Sequence, residues 1–445
     1  IYMRIRLSDH FNYTKLLRFV FPSIIMMVFT SIYSVVDGFF VSNFAGKTSF
    51  AAINLIMPLL MGMGTVGFLI GTGGSAVVSI ALGEGKRDDA NRYFSMLVYV
   101  LIAVGIILTI VGFVFIEPIA YALGARDKML SDCVIYARIL LTFQTAFMLQ
   151  CAFQSFMVAA EKPKLGLYVT VAAGMTNIIL DALFVGLFKW GLVGAAAATV
   201  ISQTVGGLMP LLYFIRKNDS LLKLIPAKVD WRVLGKVCVN GSSELMTNLS
   251  ATVVNILYNF QLMKLAGENG VAAYGVIMYV LFIFAAVFFG YSIGCAPIIG
   301  YNHGASEDKE LHNIFKKSLI LISIFGLLML TASQLLSSPL CELFVGYDRE
   351  LFELTSRGFR IYALSFLISG FNIFASAFFT ALGDGVVSAV ISFMRTLVFQ
   401  LLSILLLPVL FDIDGVWFAI VMAELLSLGV SAAFIFIKRK KYRYM

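Results

Sequence analysis

The sequence has little charge for its length. Asp, Glu, Lys and Arg together make up 13% of its 445 residues, whereas apolar residues make up 60% and the mean hydropathy is +0.93. A soluble domain does not need so much apolar sequence to fill its core. The composition therefore excludes a soluble protein and predicts a polytopic membrane protein.

The sequence also lacks several motifs that would indicate an enzyme or a secreted protein. Its five cysteines are an odd number, and Cys151 and Cys295 lie inside hydrophobic runs, so no disulfide framework is indicated. No Walker A sequence is present, which excludes ATP hydrolysis by this chain. The first ten residues, IYMRIRLSDH, have no apolar core typical of a cleavable signal peptide, so we expect the first spanning helix to direct insertion. We expect neither enzymatic activity nor a cofactor.

Apolar runs of about 20 residues indicate transmembrane helices. Such runs predict an all-α membrane protein with twelve transmembrane helices, at approximately 19–44, 51–81, 93–116, 134–160, 165–188, 191–215, 237–263, 271–300, 318–337, 357–382, 386–410 and 416–437. The second and eighth runs are long, which indicates tilt or extension beyond the bilayer.

The positions of Lys and Arg predict the orientation of the chain in the membrane. Of the 33 basic residues, 23 lie in the terminal segments and the loops on the same side, nine lie on the other side, and Arg395 lies within the eleventh span. Positively charged loops stay in the cytoplasm, so both termini are predicted to be cytoplasmic. Because topology explains the net charge of +8, no nucleic-acid partner is expected.

An internal repeat divides the chain into two similar halves. AGKTSFAAINLIMP from Ala45 aligns with AGENGVAAYGVIMY from Ala266 at an offset of 221 residues, and the register continues through Gly83 and Gly304. An even number of spans separates the halves, so they have parallel orientation. We therefore predict two pseudo-symmetric six-helix lobes, 1–216 and 237–445, joined by a cytoplasmic linker, 217–236. Transporters built from two such halves place the substrate between them.

The repeat separates residues that the fold requires from residues that function requires. A residue that the fold needs tends to occur in both halves, as Gly83 and Gly304 do. The acids do not: Asp37 aligns with Tyr258, and Glu244 aligns with Ser23. Acidic side chains inside a span are functional candidates, because a bare carboxylate is costly there.

Five polar residues of the first half are predicted to lie at a similar depth. Asp37 is seven residues before Phe44, roughly 10 Å inside the end of the first span. Asn177 and Asp181 share one face of the fifth span, and Asp181 is at the same depth as Asp37. The remaining two members of this set are Tyr33, one turn before Asp37, and Thr199, seven residues into the sixth span.

These five residues are candidates for binding a proton or a small cation. Two carboxylates in a low-dielectric site do not both ionise cheaply, so the pair is expected to retain a proton. Alternatively, carboxylate, amide and hydroxyl oxygens suit a hard cation, and a Na⁺ site would use Asp37, Asn177, Asp181 and Thr199. The structural alternative is a buried hydrogen-bond network that only stabilises helix packing.

Other candidates have weaker support. Met57 and Met61 share a face of the second span and are candidates for an adaptable substrate pocket, although a core role fits the same pattern. Gln150 and Gln154 share a face of the fourth span, where they either contact substrate or bond between helices. Arg395 and Glu424, in the last two spans, are expected to form a structural ion pair.

The sequence resembles the multidrug and toxic compound extrusion transporters over essentially its whole length. The resemblance rests on the two six-helix halves, on PSIIMMVFTSIYSVVDGFFVSNFAG in the first span, with its D-G-F-F-V-x-x-x-x-G pattern, and on the N-x-x-x-D pair of the fifth span. By this resemblance, Tyr33, Asp37, Asn177, Asp181 and Thr199 match positions that bind a coupling ion or proton in the first lobe.

Further positions also match the family. Pro22 matches a proline at which the first helix has been proposed to bend, and Glu244 matches a family acid that contacts substrate. The tenth span, FRIYALSFLISGFNIFASAFFTAL, lacks the aspartate that some sodium-coupled members place there. A second-lobe Na⁺ site is therefore not expected from the resemblance. Because Glu244 is near the predicted start of its span, a solvated surface acid is the alternative for it.

The resemblance implies a secondary active exporter in the plasma membrane of a prokaryote. It would exchange H⁺ or Na⁺ for cationic, amphipathic organic compounds, and we expect it to act as a monomer. The alternative is a lipid-linked saccharide flippase of the same superfamily, which also has two six-helix lobes. Such a flippase would line its cavity with basic residues for a pyrophosphate, and Arg395 is the only Lys or Arg well inside a predicted span.

Overall fold

A computed structural model describes residues 5–44 and 47–445, which form helices and short connections. Arg4, Ala45 and Gly46, which contributed to the charge count and the repeat, lie outside the described residues. In chain order the helices are α1 Tyr13–Phe44, α2 Lys47–Gly83, α3 Arg87–Ala122, α4 Asp127–Thr142, α5 Gln144–Ala159, α6 Pro163–Leu180 with a π-helical continuation Asp181–Leu187, α7 Gly191–Ile215, α8 Trp231–Gly304, α9 Asp308–Val345, α10 Arg349–Ala363, α11 Phe366–Ala381, α12 Gly385–Phe393 with a π-helical continuation Met394–Val398, and α13 Phe399–Tyr442.

The described helices account for the twelve predicted spans. Eight helical stretches are long and apolar enough to cross a bilayer, and the bent pairs α4/α5 and α10/α11 each supply one more span. α8 contains two spans, because Gly267 interrupts it with non-helical backbone angles. The stretch from α12 to α13 also contains two, with a break at Phe411 and Asp412. The prediction of an all-α, twelve-span protein is confirmed.

Several helices begin earlier than the hydropathy predicted. α3 starts at Arg87 and α9 starts at Asp308, about two and about three turns before the apolar runs at 93 and 318, respectively. The added turns carry acidic residues, which are favourable near the partial positive charge of a helix N-terminus. Hydropathy alone does not detect such polar turns, because they extend beyond the apolar part of the bilayer.

Each lobe is completed by a segment from the other half of the chain. Leu7 and Phe11, just before α1, are fully buried in an apolar cluster built mainly from the second lobe. The main-chain N–H of Phe11 donates to Glu310 Oε1 at 2.9 Å. In return, Val233 and Val237 at the start of α8 pack in the core of the first lobe. α8 therefore begins inside the predicted linker 217–236, and the domain boundaries themselves stay a prediction.

The two lobes meet along a seam of glycines on the membrane face that carries residues 5–12 and 217–230, which we call the basic face. A methyl group added at Gly83 would overlap the Tyr301 carbonyl oxygen, and one at Gly304 would overlap the Ile80 carbonyl oxygen. These contacts are reciprocal, since both pairs are related by the 221-residue offset. α2 and α8 therefore pack backbone to backbone here, as glycines permit in membrane helices.

Closure of this seam is testable at Gly241, which lies against Leu69 of α2. A methyl group at Gly241 would overlap the Leu69 carbonyl oxygen. We expect Gly241→Ala to separate the lobes at the basic face, because neither backbone can move away without opening the seam. Spin labels at Asp88 and Lys309, which are exposed and lie in different lobes, would report the separation as a longer distance.

The matched control is Gly235→Ala, one and a half turns earlier in α8. An added methyl group at Gly235 meets no atom within 4 Å, so the label distance should not change. An unchanged distance distribution in Gly241→Ala would show that the seam does not hold the lobes together.

Candidate functional site

The fifth span changes its helical geometry at a predicted site residue. α6 ends at Leu180, and Asp181 is the first residue of the π-helical turn Asp181–Leu187. Such widened turns are frequent at functional sites. Asp181 has no solvent-exposed surface. A carboxyl group is therefore enclosed within the first lobe.

The structure brings the predicted residues of the first and fifth spans together. The half-buried Asp37 side chain on α1 faces both Asn177 and Asp181. Tyr33, one turn earlier, packs its ring over Gly174 of α6, where a methyl group would come within 2.7 Å of the ring. Thr199 of α7 is half-buried in the same lobe.

Tyr136 belongs to this site and was missed by the sequence analysis. It is a fully buried residue of α4 that lies close enough to both Asp37 and Asp181 to interact with their charges. The predicted fourth span began at 134, so Tyr136 was placed at the membrane edge. The helix instead begins at Asp127, which moves Tyr136 well inside the bundle.

Several buried oxygen atoms among the predicted site residues accept no hydrogen bond. Asp37 Oδ1, Asn177 Oδ1, Thr199 Oγ1 and both carboxyl oxygens of Asp181 are buried and have no hydrogen-bond partner among the described residues. The Asp37 side chain faces Asn177 and Asp181, but no hydrogen bond of normal geometry joins the two acids. A buried acceptor without a donor costs about 1–3 kcal/mol, and more if it is charged. A bound proton or a small cation would satisfy acceptors of this kind.

The oxygen atoms of this cluster suit either a proton or a small cation. A proton shared by Asp37 and Asp181 would convert one acceptor into a donor and remove the repulsion between two carboxylates. A small hard cation would instead be held by carboxylate, amide and hydroxyl oxygens, the ligand types that such ions prefer.

The two glutamines lie inside the first lobe and border the acid cluster. Gln150 is adjacent to Tyr33 and packs against Gly206 of α7. Gln150 and Gln154 are each 7% exposed, and the Oε1 atom of each is buried without a partner in the described part of the chain. They extend the polar interior of the lobe, and their predicted contact with substrate stays a prediction.

The two methionines differ in their surroundings. Met57 is partly buried against an apolar cluster of the first lobe, whereas Met61 is 40% exposed. Only Met61 is therefore placed to contact a ligand outside the lobe core. Pro22 is buried, and α1 continues through it as one helix from Tyr13 to Phe44. The proposed bend at Pro22 stays a prediction.

Glu244 lies on a helix that begins earlier than the sequence analysis placed it. α8 starts at Trp231, so Glu244 is about 20 Å along the helix from its first residue. Asp230 caps this helix by accepting from the main-chain N–H groups of Arg232 and Val233. The half-buried Glu244 has no ion pair or side-chain hydrogen bond within the described ranges. Both the solvated acid and the contact with substrate stay predictions for Glu244.

The second lobe contains a buried acid whose oxygens are all satisfied. Arg395 donates to Glu424 through Nε at 2.9 and 3.0 Å, and through its Nη2 at 2.7 Å. Asn372 Nδ2 donates to Glu424 Oε2 at 2.7 Å, and Ser431 donates to Asn372 at 2.9 Å. The predicted ion pair is confirmed. The amide of Asn372 was missed, because nothing in the sequence indicated which helix faces Glu424.

Comparison with known families agrees with this architecture. A family model described as MatE matches residues 22–183 and again residues 245–405, once in each lobe. The chain belongs to this family of multidrug and toxic compound extrusion (MATE) transporters. The resemblance inferred from the sequence is confirmed, and MATE transporters are not enzymes.

Bacterial relatives and solved structures match this MATE chain over most of its length. Multidrug export protein MepA of Staphylococcus aureus strain MSSA476 is 23% identical over 434 residues, covering 96% of this chain and 94% of that protein. MepA of Staphylococcus saprophyticus is 23% identical and covers 90% of this chain and 87% of its own length.

The solved structures show the same fold. The crystal structure of MATE in complex with MaL6 has a TM-score of 0.94 at 20% identity and covers 100% of both chains. An outward-facing structure of a multidrug resistance MATE transporter has a TM-score of 0.91 at 21% identity, covering 97% of this chain and 96% of its own.

Proposed function

We propose that this MATE transporter exports cationic, amphipathic organic compounds by antiport with H⁺ or Na⁺. The observation that carries the proposal is the cluster of unpaired, buried oxygens around Asp37 and Asp181. An ion bound there satisfies the cluster, and its release leaves acceptors unpaired. The ion and the substrate would then favour different states of one protein, as antiport requires. The MepA relatives, which are named as multidrug export proteins, support the choice of substrate class.

The charge distribution supports an orientation with both termini in the cytoplasm of a prokaryote. Basic loop residues concentrate at the basic face, and such loops stay inside the cell. In this orientation, the glycine seam would close the described conformation toward the cytoplasm. The acid cluster lies in one lobe, and the chain needs no partner subunit to complete it, which supports a monomer.

A flippase for lipid-linked saccharides receives no support from the structure. A pyrophosphate would need free basic side chains inside the bundle, and Arg395 was the candidate. Its guanidinium is bound in a forked contact to Glu424, and its side chain is only 16% exposed. Arg395 therefore neutralises a protein acid and is not available for a phosphate.

Transport by purified protein in liposomes, under separately imposed proton and sodium gradients, tests the coupling. The proposal expects efflux of a cationic dye driven by one of the two gradients. Dye movement that is equally fast without either gradient would contradict antiport.

The pH dependence of binding distinguishes the two ions. A permanently cationic dye is attracted by deprotonated Asp37 and Asp181, and this attraction falls when the pair takes up a proton. We therefore expect the affinity for the dye to decrease as pH falls from about 8 to about 5, a range in which the dye itself does not titrate. Equilibrium binding measured by fluorescence anisotropy would show the change.

The matched comparison is Asp37→Asn, in which the pH effect should be smaller. An affinity that stays constant with pH in the wild-type protein would contradict proton coupling through this pair. A constant affinity together with release of the dye by Na⁺ would identify sodium as the coupling ion.

A further inference from the structure

The first span of α8 has a polar stripe that the ion site does not use. Residues Glu244, Asn248, Thr252, Asn255 and Asn259 recur every three or four positions, which places them on one face of the helix. At about 100° per residue they cover roughly 80° of the helix surface. The three in the middle of the stripe are exposed, and the two at its ends are half-buried. We call these five residues the α8 stripe.

Two other faces of the same helix have different surroundings. Ser250, Val254, Tyr258 and Leu262 are at most 8% exposed and face the interior of the second lobe. A third face carries exposed apolar side chains and suits contact with lipid. Each of its residues comes one position after a residue of the stripe; they are Leu249, Val253, Ile256 and Phe260, which are 46–67% exposed. The helix therefore already has one face for the core and one for the bilayer.

The α8 stripe lies on the face that points toward the opposite lobe. Val237 and Gly241 fall within the same angular sector, nearer the basic face. Both touch Gly73 of α2, so this sector faces the first lobe where the seam is closed. Beyond the seam the same sector carries exposed polar side chains. The stripe therefore lines the cleft between the lobes.

Lipid is excluded as the neighbour of this face. An amide without a partner in a hydrocarbon environment costs several kcal/mol, and polar residues in membrane helices face a bundle interior or water. Asn248 donates to the Glu244 carbonyl at 2.8 Å and Asn259 donates to the Asn255 carbonyl at 2.9 Å. Across the described helices, no stripe side chain bonds to another helix. Their remaining donors and acceptors are therefore directed at the contents of the cleft.

The repeat argues that the fold does not require the stripe. The residues at the same positions of the first lobe are Ser23, Met27, Ser31, Ser34 and Gly38. None of them has an amide or a charge. A stripe confined to one lobe serves a ligand and not the shared helix packing.

We propose that the α8 stripe is a substrate-recognition surface of the second lobe, for organic cations that carry hydrogen-bonding groups such as amides, carbonyls or hydroxyls. Glu244, at the inner end, attracts the positive charge. The amides and the hydroxyl offer donors and acceptors toward the outer end, so one ligand binds at several positions along the cleft. This inference rests on the proposed export function, and it predicts which cations the transporter prefers.

The test compares two cations of different chemistry. Rhodamine 6G is a cation with amine and ester groups, whereas tetraphenylphosphonium has a charge but no hydrogen-bonding group. Replacing both Asn248 and Asn255 by Leu keeps the side-chain size and removes four donors and two acceptors. We expect the affinity for rhodamine 6G to fall by about tenfold, as for the loss of one or two hydrogen bonds, while the affinity for tetraphenylphosphonium does not fall.

Two matched variants complete the experiment. Glu244→Gln should weaken binding of both cations, because it removes the shared attraction to charge. Val253→Leu, on the apolar face of the same helix, should change neither. An equal loss for both cations in the Asn variant, or no loss for either, would overturn the stripe as a recognition surface. If the wild-type protein binds neither cation, the proposed export function fails as well.

Water access provides a test that does not depend on the stability of the leucine variant. In a background without the native cysteines, a membrane-impermeant thiol reagent should label Asn255→Cys and should not label Ile256→Cys, although both positions are exposed. Rhodamine 6G should slow the labelling at 255. Labelling at 256 but not at 255 would show that the stripe faces away from the cleft, which would overturn the proposal.

Discussion

Asp37→Asn is expected to reduce gradient-driven export to the level of protein-free liposomes while leaving the protein folded. The amide cannot bind and release a proton, and it carries no charge to attract a cation. Its Nδ2 group can, however, donate to the unpaired oxygens of Asp181, which lack a partner among the residues described. The thermal unfolding midpoint should therefore be equal to or above that of the wild type. Efflux assays in liposomes and unfolding in detergent measure the two effects separately.

The control for this prediction is Asp88→Asn, the loss of an exposed carboxylate at the start of α3. It should leave transport unchanged, because it lies outside the bundle. Wild-type, gradient-dependent efflux by Asp37→Asn would exclude Asp37 as a coupling residue. Lost transport accompanied by a large drop in unfolding temperature would instead show that Asp37 supports the fold.

Arg395→Met is expected to lower the free energy of unfolding by about 3–5 kcal/mol, because it leaves Glu424 buried without its cation. Glu424 is 2% exposed, so water cannot replace the guanidinium. The double variant Arg395→Met/Glu424→Met should recover most of the loss, since neither charge then remains in the interior. Denaturant unfolding of the wild type, Arg395→Met, Glu424→Met and the double variant would give the interaction free energy of the pair.

Arg349→Met is the matched control for the buried pair. Arg349 bonds to Glu353 at 3.2 Å, but the side chains are 92% and 65% exposed. Exposed pairs of this type contribute about 0.3–0.5 kcal/mol, so the control should show almost no change. An Arg395→Met protein that unfolds like the wild type would show that water or a rearranged Asn372 replaces the arginine.

The pair also gives the second lobe a polar interior that differs from that of the first lobe. In the first lobe, Asp181 has two buried oxygens with no donor in the described ranges. In the second lobe, Arg395 and Asn372 supply donors to both oxygens of Glu424. The fixed positive charge of Arg395 lies beside Glu424, where an exchangeable ion would otherwise bind. We therefore expect ion exchange at one lobe only, in agreement with the missing aspartate in the tenth span.

The sequence by itself determined the depth of most features along the membrane normal. Apolar runs are about as long as a bilayer is thick, so twelve spans followed directly from them. The register of Asp37 and Asp181, each seven residues before the end of its run, placed both acids at one depth before their contact was known. The spacing of Asn177 and Asp181 was informative because residues four apart share a helix face.

Only the tertiary structure decided which way each face points and which helices are neighbours. Asn372 was missed because an apolar span is similar on all sides, so rotation about its axis depends on packing against other helices. Tyr136 was missed because α4 begins at Asp127, before the predicted span. The start of α8 at Trp231 was not predicted, because polar turns at the start of a helix are helical without being hydrophobic. The π-helical turn at Asp181 was not predicted either, since it depends on the fit of that turn into the lobe. Hydropathy measures transfer into the bilayer, and it contains no term for the contacts that turn two acids toward each other.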